Sequence, residues 1–145
     1  MEQRLSMIAL GVADLPRAID FYENVIGWTA TPGPEGIAFF DLGGIVFSLY
    51  PHEEMAKDMK ADDTGNFVSQ GFALAHNVRS KVEVDSIFAR LMQHYATIIK
   101  EPEDVFWGGY SGYFSDPDGH RWEVAFNPYW TIHQDGRVSM TPPST

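Results

Sequence analysis

Apolar residues along this chain fall into short runs of strand character and longer stretches of helical spacing, and the same order of patterns occurs twice. Ser6-Met7-Ile8-Ala9-Leu10-Gly11-Val12 is a short apolar run that suits a strand. Asp14 follows as a helix N-cap, its carboxylate placed to accept free first-turn N–H groups. Pro16 is tolerated there because those groups have no helical partner. Leu15, Ala18, Ile19, Tyr22, Val25 and Ile26 then trace one stripe of an amphipathic helix, and Gly27 stands where a left-handed C-cap belongs. The second half begins alike. Phe72 to Val78 reads as a strand, and Ser80 with Glu83 forms a capping box. Val84, Ile87, Phe88, Leu91, Met92 and Tyr95 form the second stripe.

Each strand–helix unit precedes β-rich sequence: residues 29–30, 37–42 and 45–50 in the first half, and 97–100, 112–115 and 121–126 in the second. Gly43-Gly44 and Asp116-Pro117-Asp118-Gly119 each separate two such runs, and both read as hairpin turns. The predicted architecture is α+β, βαβββ followed by βαβββ. Module one spans about 4–50, a linker with a short helix about 51–70, module two about 71–130, and a partly ordered tail 131–145. Neither module covers its sheet alone, so both are read as one domain.

The chain has 145 residues, 44% of them hydrophobic and 21% charged, which suits an ordinary globular chain rather than a disordered one. Ten basic residues against 20 acidic ones leave a formal charge of −10, which disfavours phosphate backbones and anionic lipid surfaces as partners. The absence of cysteine excludes disulfides, thiolate zinc sites, thiol nucleophiles and iron–sulfur clusters. No apolar run reaches the roughly 18–20 residues of a membrane span. The N-terminal residues lack signal-peptide character, so a cytoplasmic location is expected.

Leu10 to Leu15, then Phe21-Tyr22 and Gly27-Trp28, Leu74 to Val78, and Trp107 to Val124 with its Asp116-Pro-Asp-Gly-His120 core carry a recognisable signature. Together they resemble the vicinal oxygen chelate superfamily, which contains glyoxalase I, bleomycin-resistance proteins and extradiol dioxygenases. That resemblance implies an eight-stranded sheet curled around a pocket, helices outside, and often a homodimer. It also implies a divalent metal held by one residue from the first and one from the last strand of each module. The equivalent positions here are Met7, Ser48, Ala73 and Glu123. Only Glu123 is a competent ligand, since alanine has no donor, thioether is too soft for Mg, Mn, Zn or Fe, and neutral serine binds weakly. The expected metal count is therefore none.

Strand alternation extends the expected lining. Met7 shares a face with Ala9 and Gly11, Ala73 with Ala75 and Asn77, Ser48 with Tyr50, and Glu123 with Arg121. Most of these are small, which predicts a roomy cavity. Phe106 to Tyr113 joins bulky rings to glycines, and Trp107 and Tyr110 are its ligand-binding candidates against the alternative of a dimer seam. Glu123 is a pocket acid suited to general-base work, a partner near Arg121, a cation-binding carboxylate, or a leftover carboxylate satisfied by a tyrosine hydroxyl or water. His120 reads as a turn residue and His76 as a packed core histidine. The leading expectation is a small-molecule-binding protein without a metal. Beside it stand a metal-dependent lyase or isomerase of glyoxalase type, or a dioxygenase, with a rebuilt site, and an interaction protein with a vestigial cavity.

Overall fold

The computed structural model describes residues 1, 3, 5–59 and 71–140, which divide into two compact units between residues 59 and 71. Among them no helix is long and apolar enough to cross a membrane.

The first unit holds β1 (Met7–Val12), α1 (Leu15–Asp20), β2 (Ala38–Asp41), β3 (Val46–Pro51) and α2 (His52–Met59). Asp14 caps α1 as its sequence predicts, accepting from Arg17 N at 3.0 Å. The expected single helix changes winding halfway: Phe21–Ile26 continues α1 as a π-helix, closed by Gly27 at φ 88°. Its buried Phe21 and Tyr22 start an aromatic core in which Tyr22 lies 4.9 Å from Phe47 and stacks on Trp28 at 5.7 Å. β1 pairs parallel with β3, which pairs antiparallel with β2.

The fourth strand expected here, at residues 29–30, is absent. Thr31 makes a single bridge to Phe39, and Pro32 and Pro34 beside it offer no N–H donor with which a ladder could continue. The Gly43-Gly44 turn forms as expected, with both glycines at positive φ and Leu42 N donating to the Ile45 carbonyl at 3.0 Å.

The second unit holds β4 (Leu74–Val78), α3 (Lys81–Gln93), β5 (Thr97–Asp104), β6 (Tyr110–Ser115), β7 (Arg121–Phe126), β8 (Thr131–Ile132) and β9 (Val138–Ser139). Its sheet runs β4-β7-β6-β5, and β8 with β9 forms a separate hairpin in what the sequence presented as a tail. The described strands thus form sheets of three, four and two, not one eight-stranded sheet. Ser80 Oγ accepts from Glu83 N at 3.2 Å, while the Glu83 carboxylate reaches back to Arg79 N at 3.0 Å, one residue beyond the usual capping box. Val84, Phe88 and Leu91 bury the predicted stripe of α3 against the sheet, where Phe88 meets Phe114 edge-on and Phe114 stacks on Trp122.

The two predicted helices end on the same turn with different residues. Tyr95 occupies a left-handed position at φ 56° just past α3, with its side chain fully in solvent at 95% exposure. A side chain there strains the backbone and gains no packing in return. Tyr95→Gly is expected to raise stability by about 1 kcal/mol, read as a higher urea midpoint at unchanged slope.

Candidate functional site

The open face of the second sheet, opposite α3, carries the candidate site. β-Pairing brings Ala75 opposite Glu123, Glu123 opposite Tyr113, and Tyr113 opposite Lys100, a single row across all four strands. Two clefts flank Tyr113. One, of about 310 Å³, is bounded by Lys100, Glu103, Trp107, Ser111 and Glu123; the other, of about 370 Å³, by Phe72, Ala73, Ile99 and Arg121. Ile99 and Lys100 are sequence neighbours, yet both line this face because the β5–β6 register shifts between Ile98 and Lys100.

Tyr113 stands opposite Glu123 across the β6–β7 pair. Desolvation first, and then the negative charge and hydrogen-bonding pull of the Glu123 carboxylate, hold its phenol above the usual value. The Glu123 carboxylate lines the first cleft. Other charges around the cleft are matched. Lys100 pairs with Glu103 at 3.0 Å and Lys81 with Asp104.

Trp107 forms a wall of this cleft because Gly109 leaves room for it. A Cβ built on Gly109 would lie 1.7 Å from the Trp107 ring, so the indole lies directly over the glycine backbone. The tight loop is closed by Val105 N on the Gly109 carbonyl at 3.0 Å and Gly108 N on the Val105 carbonyl at 2.9 Å. Gly109→Ala is expected to push the indole off this seat, shifting the Trp107 indole N–H resonance. The cost is about 1–2 kcal/mol, since a half-exposed ring moves more easily than backbone.

The remaining sequence candidates are distributed as follows. Tyr110 faces α3, donating its hydroxyl to Asp85 at 2.8 Å, and does not line either cleft. Asn77 is half-buried opposite Ala125 and likewise lines neither. In the first unit Met7 is 49% exposed, Tyr50 is half-buried, and Ser48 is fully buried with no partner for its Oγ among the described residues. The roomy strip expected along Met7, Ala9 and Gly11 is filled at one end. α2 lies there, so that a Cβ on Gly11 would come within 2.7 Å of the His52 ring and 3.5 Å of the Met55 sulfur. His120 is a buried turn residue, its Nδ1 2.7 Å from Asp116. His76 keeps solvent access on edge strand β4, while desolvation of its ring lowers its pKa against the pull of Glu83.

Sequence reading missed Tyr113 and Lys100. The first was recoverable: counting outward from Asp116 opposite His120 pairs Tyr113 with Glu123. The second depends on the β5 irregularity, which no alternation rule foretells.

The residues present do not fit the metal that the resemblance implies. The register repeats between units, with Ala9 opposite Ser48 and Ala75 opposite Glu123, so Ser48 and Glu123 hold equivalent places in their sheets. The four positions to which the resemblance points carry one thioether, one hydroxyl, one methyl and one carboxylate. Among the described residues no three His, Cys, Asp or Glu side chains are grouped to hold a metal ion.

The solved structure of a glyoxalase-related enzyme from Fulvimarina pelagi superposes with a TM-score of 0.89 at 33% identity, covering 97% of this chain and 99% of that one. The metallothiol transferase FosB of Lysinibacillus sphaericus is 28% identical over 121 residues, 83% of this chain and 80% of the relative. A probable trivalent organoarsenical cleaving enzyme of Bacillus subtilis is 27% identical over 144 residues, 94% of this chain and 91% of the relative. The family model matches residues 4–124, and the chain belongs to the Glyoxalase/Bleomycin resistance protein/Dioxygenase superfamily.

Proposed function

We propose that this chain is a glyoxalase-like small-molecule-binding protein that works without a resident metal, using the open face of its second sheet. The observation that carries the reading is the donor set: one carboxylate, Glu123, at four positions where family chemistry needs several hard ligands. In place of a metal site, that face has a preformed aromatic wall, a carboxylate oriented by Tyr113, and two clefts large enough for a small organic molecule. Ala73 and Arg121, which line the second cleft, complete the proposed ligand-contacting set on this face, and the reading includes a cytoplasmic homodimer.

A second reading has its own support. FosB of L. sphaericus is named a metallothiol transferase, and a metal-dependent transferase or lyase with a rebuilt site follows from that likeness. Elemental analysis of protein purified without chelator, with melting curves in Mn, Ni, Zn and Fe(II), separates the two. The metal-free reading expects substoichiometric metal and melting temperatures within about 1–2 °C of each other, because a ligand that does not bind the native state adds no stability. Stoichiometric metal, or a rise of many degrees with one cation, overturns it. A fragment screen by melting shift tests the cleft itself: hits on the wild type should vanish in Glu123→Gln and Trp107→Ala. If no fragment class shifts the wild type, the pocket is vestigial and the chain is an interaction protein.

A further inference from the structure

The charges on the open face do not cancel uniformly. Lys100 and Glu103 neutralise each other, and Asp104 at the cleft edge pairs with Lys81 on α3. Two charges are left over among the described residues: Glu123, whose only described partner is the neutral Tyr113 hydroxyl, and Arg121, which has no hydrogen-bond or ion-pair partner there. They stand two residues apart on β7, so they point to the same face with their backbones about 7 Å apart by the rise of a strand. They do not form a salt bridge with each other. Each lines a different cleft, Glu123 the one walled by Trp107 and Arg121 the one beside Ala73, and Tyr113 lines both.

Opposite charges held apart on one face, each unneutralised, match a ligand that carries the complementary pair. We propose that this face recognises small amino carboxylates, zwitterions whose ammonium group meets Glu123 and whose carboxylate meets Arg121 across Tyr113, with a flat apolar body against Trp107. The proposal rests on the small-molecule reading above and names its ligand class. Chemistry favours the assignment at each end. The Glu123 carboxylate accepts from an ammonium group while Tyr113 occupies one of its oxygen sites, and the Arg121 guanidinium offers the forked donors that a carboxylate takes in pairs. The Trp107 face adds stacking and, beside Glu123, attraction for a cation. A simple cation would leave Arg121 unmatched and a simple anion would leave Glu123 so, which makes the doubly charged ligand the best fit.

The test uses four indole probes that share one ring and differ only in charge: tryptophan, tryptamine, indole-3-propionate and 3-methylindole, titrated into the ¹⁵N-labelled full chain. Tryptophan is expected to shift the amides around Ser111, Tyr113, Arg121 and Glu123 and to bind about tenfold more tightly than either singly charged probe, the discrimination expected when one charge-assisted pair is lost. Arg121→Gln should bring tryptophan to the level of tryptamine and leave tryptamine unchanged, with Arg121→Lys restoring part of the difference. Glu123→Gln should bring tryptophan to the level of indole-3-propionate. Equal binding of tryptamine and tryptophan, or an Arg121→Gln variant that binds tryptophan unchanged, overturns the proposal. If 3-methylindole binds this face as well as tryptophan, the zwitterion assignment fails and the pocket reading stands. If no indole binds and the fragment screen is also blank, both fail.

Discussion

Asp116→Ala is expected to destabilise the second unit by about 3–5 kcal/mol, the range for removing one partner of a buried, hydrogen-bonded pair. Asp116 is 3% exposed and supports the β6–β7 turn from three sides. Its Oδ1 accepts from Asp118 N at 3.0 Å and from His120 N at 2.9 Å, and its Oδ2 lies 2.7 Å from His120 Nδ1. Alanine would leave two backbone donors and a buried imidazole nitrogen without their acceptor. Asp116→Asn separates the contributions. It keeps an oxygen for the backbone donors and changes only the His120 contact, so it should cost about 1–2 kcal/mol. Urea unfolding followed by tryptophan fluorescence reads the series. An alanine variant within 1 kcal/mol of wild type would show that the turn holds without this side chain. The turn matters beyond stability, because its closing pair sets the register that faces Tyr113 with Glu123. Asp116→Ala should therefore weaken ligand binding even at temperatures where the unit stays folded.

Gly112→Ala carries the second large effect, about 3 kcal/mol, the upper range for overpacking a filled core. Gly112 sits on β6 between Ser111 and Tyr113, with its α-carbon turned towards α3. An added Cβ would stand 2.5 Å from the tip of the Phe88 ring and 2.9 Å from the Lys100 carbonyl oxygen. The ring can shift at a cost, but the carbonyl belongs to the β5 backbone and cannot. Displacing β5 moves Lys100 and Glu103, so the substitution reaches the cleft through the strand rather than by direct contact. Phe88→Leu should recover part of the loss in the double variant, because it removes one of the two clashes while leaving the backbone one. If Gly112→Ala alone proves neutral, the sheet and helix are less tightly apposed than the contact distances state.

Much of the fold was legible because it depends on local chemistry. Asp14 and Ser80 cap their helices whatever lies elsewhere in the chain, since a side-chain oxygen three residues from a free N–H needs no tertiary partner. Val84, Phe88 and Leu91 of the second stripe bury as their spacing says, while Met92 and Tyr95 at its end stay in solvent, and Gly43-Gly44 and Asp116 to Gly119 turn where positive φ is tolerated.

The misses have a common physical origin. The strand at residues 29–30 has apolar strand-like character, but its continuation needs backbone donors that Pro32 and Pro34 lack, and a ladder fails where one partner fails. The small residues of β1 predicted open space along their face. α2 fills part of it, since a strip of small side chains admits a helix as readily as a ligand. Tyr110 stands in the same aromatic loop sequence as Trp107, yet one turns to Asp85 on α3 and the other lies over Gly109, a division made by strand alternation and a glycine without a Cβ. The sequence by itself determined the repeated strand–helix order, the caps and turns, and the family. Only the tertiary structure decided which side chains share the site, because pairing register, a shift within β5 and the packing of α2 bring together residues whose spacing in the chain carries no such instruction.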